Sequence, residues 1–292
     1  MRLLPWLLVS IVLASAGCSR TASWAANVGV DDDRIESHVY DAGASLALDV
    51  HRPDRTGAGT AAAAPVIVYF HGGRWRDGDR HSARFVGQRL AAAGALVVVP
   101  DFRQAPAHAF PAFMADAAQA VAWAHAHAAG LGGDPARIYV MGHSSGAHIA
   151  ALLGTDARYL AAAGLAPDRL AGVIGWSGPY DFLPIREIDL VDVFGTGEQW
   201  PATQPVNFVD GDEPPFLLVH GLDDDVVESR NSVELAGKLR ANGVDARLLL
   251  LPGGTHSTPL AGFYDPTRAP CVVPAVVAFV RGQPPPNDDA CD

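Results

Sequence analysis

A serine hydroxyl attacks a carbonyl only when a base removes its proton and nearby donors receive the charge that builds on the carbonyl oxygen. Gly142-His143-Ser144-Ser145-Gly146 has the G-x-S-x-G spacing. It lies between an apolar, β-branched run, Arg137 to Met141, and a helical stretch, Ala147 to Leu153. Glycines at both ends allow a tight strand-to-helix turn that lifts the central serine into a cleft, so Ser144 occupies the nucleophile position and Ser145 does not. The N-terminus of the following helix favours negative charge at the same place.

The base and its orienting carboxylate are expected later in the chain, on loops that follow strands. His220-Gly221-Leu222-Asp223-Asp224-Asp225 follows the strand-like Phe216 to Val219, and Leu251-Pro252-Gly253-Gly254-Thr255-His256 follows the next one. The order Ser144, Asp224, His256 predicts a nucleophile, carboxylate and base, with Asp225 as the alternative carboxylate. Of the eleven histidines, His256 lies on a glycine-bounded loop, whereas His51, His125, His127 and His148 fall in strand or helix bodies. Upstream, His71-Gly72-Gly73-Arg74-Trp75 follows Val66 to Phe70. Consecutive glycines let backbone amides approach an oxyanion, which assigns the donors to Gly73 and Ser145, with Arg74 as a third. The Arg74 side chain has two readings: a cation near the substrate pocket that favours acidic substrates, or a surface group facing solvent or paired with Asp77 or Asp79.

These loops need a sheet to hold them. A hairpin of Arg34 to Tyr40 and Leu46 to Arg52 turns at Asp41-Ala42-Gly43, and short apolar runs follow at Pro65 to Phe70, Ala95 to Pro100, Arg137 to Met141, Gly172 to Trp176, Pro215 to His220 and Ala246 to Leu251. Continuous runs of this kind fit strands covered on both faces. Between them, Ser82 to Ala93, Pro111 to Ala129, Ser145 to Leu153 and Glu228 to Asn242 read as helices, with Gly94, Gly130 and Gly243 at cap positions, and a last helix covers about Cys271 to Arg281. The expected architecture is a single α/β domain over 31–292: an eight-stranded, mostly parallel, doubly wound sheet with helices on both faces. Tyr180 to Phe208 is too long for a plain connection and is a candidate lid or pocket wall.

Composition narrows the chemistry. The 292 residues are 49% hydrophobic and 18% charged, which suits a sizeable core, and the net charge of −11 with Lys238 as sole lysine argues against nucleic acid as a partner. His125-Ala126-His127 is a poor metal pair, because residues two apart on a helix point to different sides, and no phosphate-cradling glycine motif is present. No cofactor and no metal are expected.

Taken together, these motifs resemble the α/β-hydrolase superfamily, specifically the carboxylesterases of its hormone-sensitive-lipase-like and kynurenine-formamidase-like (BD-FAE-like) branch, from about Val39 to Val280. Asp101-Phe102-Arg103-Gln104-Ala105-Pro106, Phe110-Pro111-Ala112, Asp116 and Gly132-Gly133-Asp134-Pro135 look like that branch's connecting signatures. The resemblance implies hydrolysis of small or medium carboxylic esters through an acyl-enzyme, with arylformamidase or amidase chemistry on the same residues as the alternative, and a non-catalytic binding protein on a hydrolase fold as a distant one. Arg74 stands where many hormone-sensitive-lipase-like enzymes have a third glycine and is nearer the formamidase-like pattern.

At the N-terminus, Arg2 precedes an apolar run from Leu3 to Ala16, too short to span a bilayer but of signal-peptide size. Residues 1–17 therefore read as a signal peptide and 18–30 as a linker. Gly17-Cys18 resembles a bacterial lipoprotein box and implies membrane attachment through a lipidated Cys18; Ala14-Ser15-Ala16 fits ordinary secretory cleavage to a periplasmic or secreted enzyme. Export to the cell envelope is expected either way, and Cys271 and Cys291 are then expected to pair in an oxidising compartment. Mass spectrometry of the mature N-terminus separates the two routes: a lipidated Cys18 is expected, and an unmodified terminus following Ala16 would select simple secretion.

Overall fold

A computed structural model describes residues 26–53 and 62–284. Eight strands form one sheet: β1 (Ile35–Asp41), β2 (Leu46–His51), β3 (Ala64–Phe70), β4 (Leu96–Pro100), β5 (Gly133–His143), β6 (Leu170–Trp176), β7 (Phe216–Gly221) and β8 (Ala246–Leu251). Their spatial order is β1-β2-β4-β3-β5-β6-β7-β8. β2 is antiparallel to both β1 and β4, and every later pairing is parallel.

Side chains alternate along each central strand and so divide the interior into two layers. Val66, Val68 and Phe70 of β3, with Val140 of β5 and Phe216 and Leu218 of β7, face a core shared with α2 (Ala112–Leu131), α3 (Ser145–Thr155) and α6 (Arg230–Ala241). Ile67 and Tyr69, with Met141, Trp176 and Val219, face the opposite core against α1 (Arg84–Ala92), α7 (Thr258–Tyr264) and α8 (Val272–Val280). Burying both faces makes the parallel strands continuous apolar runs, and the same burial places their C-terminal ends along one rim where loops can meet.

Three short helices have no counterpart in the helical stretches read from sequence: α4 (Ala157–Ala162), α5 (Ile188–Phe194) and α7. Each is too short for a periodic apolar face and depends on local caps or packing, as when the Asp156 carboxylate accepts from the Arg158 amide at 3.2 Å. Gly130 does not cap α2. The helix continues to Leu131, and Gly132, with φ 90°, takes the left-handed cap position. β5 starts at Gly133, ahead of the apolar run, because its first residue pairs with Ala64 across a break in register.

Cys271, just before α8, is buried and disulfide-bonded. Its expected partner Cys291, and the expected lipidation site Cys18, lie outside the described residues, as does the 1–17 segment. Among the described residues no helix is long and apolar enough to cross a membrane.

The hairpin that begins the domain is fastened by a buried carboxylate. Asp49 of β2 accepts from Ser37 Oγ at 2.6 Å, Arg80 Nε at 3.0 Å and Arg84 Nε at 3.0 Å. Burial alone would raise the Asp49 pKa, but these donors outweigh it and hold the group below its ordinary value. A depressed folded-state pKa contributes stability that is present above the unfolded carboxylate value and is lost as pH falls through the folded one. Asp49→Asn is expected to lower stability by about 3 kcal/mol at pH 7 and to flatten the remaining loss on acidification below about pH 4, as read by urea melts at both pH values.

Candidate active site

The turn from β5 into α3 brings two backbone segments closer than any side chain permits. A Cβ at Gly142 would lie 2.2 Å from the carbonyl of Gly146, and a Cβ at Gly146 would lie 2.1 Å from the carbonyl oxygen of Phe70 on β3. Ser144, between them, is held at φ 54° and ψ −122°, a conformation that costs a non-glycine residue about 1–3 kcal/mol. The surroundings enforce it: the Ser144 amide donates to the Trp176 carbonyl on β6 at 2.8 Å, while its own carbonyl accepts from Ala147 at 3.0 Å to start the helix.

A second close approach joins the loops after β7 and β8. A Cβ at Gly221 would lie 2.2 Å from the Gly254 carbonyl oxygen, and the Asp223 amide donates to that same oxygen at 2.8 Å. The two loops thereby carry Asp224 and His256 toward each other and toward Ser144. His256 Nδ1 donates to Asp224 Oδ2 at 2.8 Å, and Ser144 Oγ is 3.0 Å from His256 Nε2. Asp225, the alternative carboxylate, is exposed and makes no hydrogen bond to His256. Asp224 is buried, which by itself would raise its pKa. Donors from His220 and His256 and the Val227 amide overcome that effect and hold the carboxyl well below its usual range, so it is anionic throughout the neutral region.

Two further histidines shape the site. His143 Nε2 donates to the backbone carbonyl of His256 at 2.9 Å, which braces that loop, and burial followed by the neighbouring His256 pushes its pKa down to about 3. His148 on α3 accepts from Trp75 Nε1 at 3.2 Å and donates to the Thr203 carbonyl at 2.7 Å. That bridge ties the 71–75 loop to the helix behind the serine and to the 180–208 segment. Both residues stand in motifs visible in the sequence, but their partners are distant in the chain, so no local pattern disclosed their roles.

The 71–75 loop lies over the serine. A Cβ at Gly72 would fall 3.2 Å from Ser144 Cβ, and one at Gly73, where φ is 129°, would fall 2.0 Å from the Asp77 carbonyl oxygen. Arg74 and Trp75 follow with φ of 55° and 59°. The amides of Gly73, Arg74 and Ser145 have no backbone or side-chain acceptor among the described residues, which leaves them available to an oxyanion. The Arg74 side chain reaches neither Asp77 nor Asp79. Its guanidinium bonds Asp189 at 2.8 Å and 3.1 Å and also pairs with Glu187, while Arg76 pairs with Asp192 at 3.5 Å. The expected partners Asp77 and Asp79 are thus corrected to Glu187 and Asp189 on the 180–208 segment, because the left-handed turn at Arg74 directs its side chain to that segment.

That segment is a packed cap. Phe182 and Phe194 are in ring contact with Trp75 at 6.1 Å and 4.7 Å. The Tyr180 and Asp181 amides donate to Asn231 Oδ1, each at 2.9 Å, and Lys238 Nζ donates to the Val206 carbonyl at 2.6 Å.

A sheet of this order, with a strained serine at the β5–α3 elbow and a carboxylate and histidine on the loops after β7 and β8, defines an α/β-hydrolase. Solved structures agree with that fold: a truncated carbohydrate esterase from gut microbiota superposes with TM-score 0.72 at 23% identity, covering 87% of this chain and 99% of that one. Thermogutta terrifontis esterase 2 phosphoramylated by tabun superposes with TM-score 0.66 at 25% identity, covering 77% and 86%. The chain belongs to the BD-FAE family, whose model matches residues 48–239. Its curated relatives include the probable carboxylic ester hydrolase LipM of Mycobacterium tuberculosis, 31% identical over 66% of this chain and 48% of LipM, and esterase LipC of the same organism, 33% identical over 75% and 58%. The chain thus spans about half the length of the relatives it matches.

The strain at the elbow has a measurable consequence. Ser144→Gly and Ser144→Ala both remove the hydroxyl, but only glycine relieves the positive φ. The glycine variant is expected to be more stable than the alanine variant by about 1–2 kcal/mol in thermal or urea melts; equal stability would mean the elbow carries no strain.

Proposed function

We propose that the protein is a serine carboxylesterase that hydrolyses small or medium esters through an acyl-enzyme. The observation that carries the reading is the unbroken hydrogen-bond chain from Ser144 through His256 to the buried Asp224, beneath a glycine loop with free amides. Ser144 Oγ attacks the ester carbonyl as His256 Nε2 takes its proton; Asp224 holds His256 with Nδ1 protonated and stabilises the imidazolium that forms. The developing oxyanion accepts from the Gly73 and Ser145 amides, with Arg74 contributing its backbone amide as the third donor, and the N-terminus of α3 points at the same charge. Collapse of the tetrahedral intermediate expels the alcohol, which takes the proton back from His256. Water then repeats the cycle on the acyl-serine. No step calls for a metal or an organic cofactor.

The similarity to a probable carboxylic ester hydrolase, LipM, and to esterase LipC supports the choice of an ester over other acyl substrates. Export through the N-terminal segment, and attachment through Cys18, belong to the same proposal and rest on the sequence alone.

Burst kinetics on p-nitrophenyl acetate and butyrate test the chemistry. A pre-steady-state burst near one equivalent of p-nitrophenol is expected, and Ser144→Ala is expected to abolish it and lower kcat by at least about 10⁴-fold with the fold intact. A burst that survives in Ser144→Ala would remove Ser144 from the nucleophile role, and a folded protein inert to every short ester would turn the reading toward N-formyl arylamines.

A further inference from the structure

Asp224 is shared by two histidines. His256 Nδ1 approaches Oδ2 at 2.8 Å, and His220 Nε2 approaches the same oxygen at 3.1 Å. The other oxygen, Oδ1, accepts from the Val226 and Val227 amides at 3.0 Å and 2.9 Å. His220 is fully buried, and its Nε2 also lies 2.8 Å from the Val227 carbonyl oxygen. Both neighbours of Nε2 are acceptors, so Nε2 carries a proton. Nδ1 lies 2.7 Å from Ser232 Oγ on α6, whose hydroxyl can donate to it. The result is a second serine–histidine–aspartate array that mirrors the first with the imidazole reversed: Nε2 faces the carboxylate in His220, and Nδ1 faces it in His256. Ser232 is sealed from solvent, so this array has no access to substrate.

We infer that His220 is a positioning residue, a neutral Nε2–H donor that fixes the Asp224 carboxylate and withholds part of its charge from His256, with Ser232 selecting its tautomer. The inference rests on the triad reading given above. The titratable groups around His220 are Asp224 on the loop after its own strand β7, His143 at the end of β5 and His256 on the loop after β8, while α6 contributes Ser232. Asp223 and Asp225 are exposed. With three hydrogen bonds on one carboxylate and the His220 N–H, shared with the Val227 carbonyl, 3.1 Å from Oδ2, its negative charge is divided among them. Deleting the His220 donor leaves more of that charge facing His256. The imidazolium form of His256 is then favoured, the base is protonated at higher pH, and the acid limb of the kcat/KM profile moves up. The loss of a fixed carboxylate orientation also lowers kcat with little effect on KM.

The test compares the mature protein with His220→Leu, His220→Gln and Ser232→Ala, using p-nitrophenyl butyrate between pH 5 and 9. His220→Leu is expected to lower kcat about tenfold, leave KM within about twofold, and raise the acid-limb midpoint by about half a unit to one unit. His220→Gln places an amide N–H near the lost Nε2–H and is expected to restore the midpoint and most of kcat. Ser232→Ala frees the tautomer and is expected to shift the midpoint in the same direction by a smaller amount. The low-field Nδ1–H proton resonance of His256, followed against pH in the folded proteins, gives the midpoint without turnover, so a failure of the esterase reading is distinguishable from a failure of this one. A wild-type midpoint in His220→Leu, or equal losses in the leucine and glutamine variants with no shift, would overturn the inference. If His220→Leu does not fold, an unshifted midpoint in Ser232→Ala overturns it instead.

Discussion

The approach of the β5 end to the start of α3 is the constraint on which the site depends. Only glycine at positions 142 and 146 lets the turn pass within contact distance of its own helix and of β3, and the turn so formed forces Ser144 into a strained conformation. The strain is sustained because the sheet is buried on both faces and cannot relax locally: β5 is paired to β3 on one side and β6 on the other. A rigid parallel sheet thus converts core burial into a fixed position for one hydroxyl. The same principle operates at Gly221 and Gly254, where two segments touch backbone to backbone and carry the Asp224 carboxylate and the His256 ring toward that hydroxyl.

Electrostatics at the site follows from burial. A carboxylate removed from water is costly unless donors replace the lost solvation. Asp224 obtains three hydrogen bonds, from His256 and two amides, with the His220 ring 3.1 Å away as a fourth polar neighbour, and is therefore a fixed anion rather than a titrating group in the neutral range. Burial acts in the opposite sense on His143 and His148, which stay neutral and act through single N–H donors to backbone carbonyls. In His148, neutrality is what permits the ring to donate to the Thr203 carbonyl at one nitrogen and accept from Trp75 Nε1 at the other.

The cap shows how a surface charge can serve position rather than recognition. Arg74 follows the oxyanion-loop glycines, where a cation invites a role toward substrate, yet its side chain is engaged with Glu187 and Asp189. Exposed pairs of this kind contribute little stability individually. Joined to Arg76–Asp192 and to the Trp75–His148–Thr203 bridge, they hold the 180–208 segment against the loop that covers Ser144.

Much of this was legible in the sequence because the governing signals are local. Apolar runs reported the buried parallel strands, glycine spacing reported the elbow, and chain order reported Ser144, Asp224 and His256 as parts of one site. The choice between Asp224 and Asp225 was not local: adjacent residues on a loop differ only in direction, and packing against His220 and the Val226 and Val227 amides turned one inward. The end of α2 at Gly132, the short helices α4, α5 and α7, and the partners of Arg74 were likewise decided by contacts between segments far apart in the chain. Residue type and spacing determined which chemistry the chain could carry; tertiary packing decided which of several equivalent side chains was desolvated, oriented and joined to the others, because burial and direction are properties of the assembled sheet and its loops.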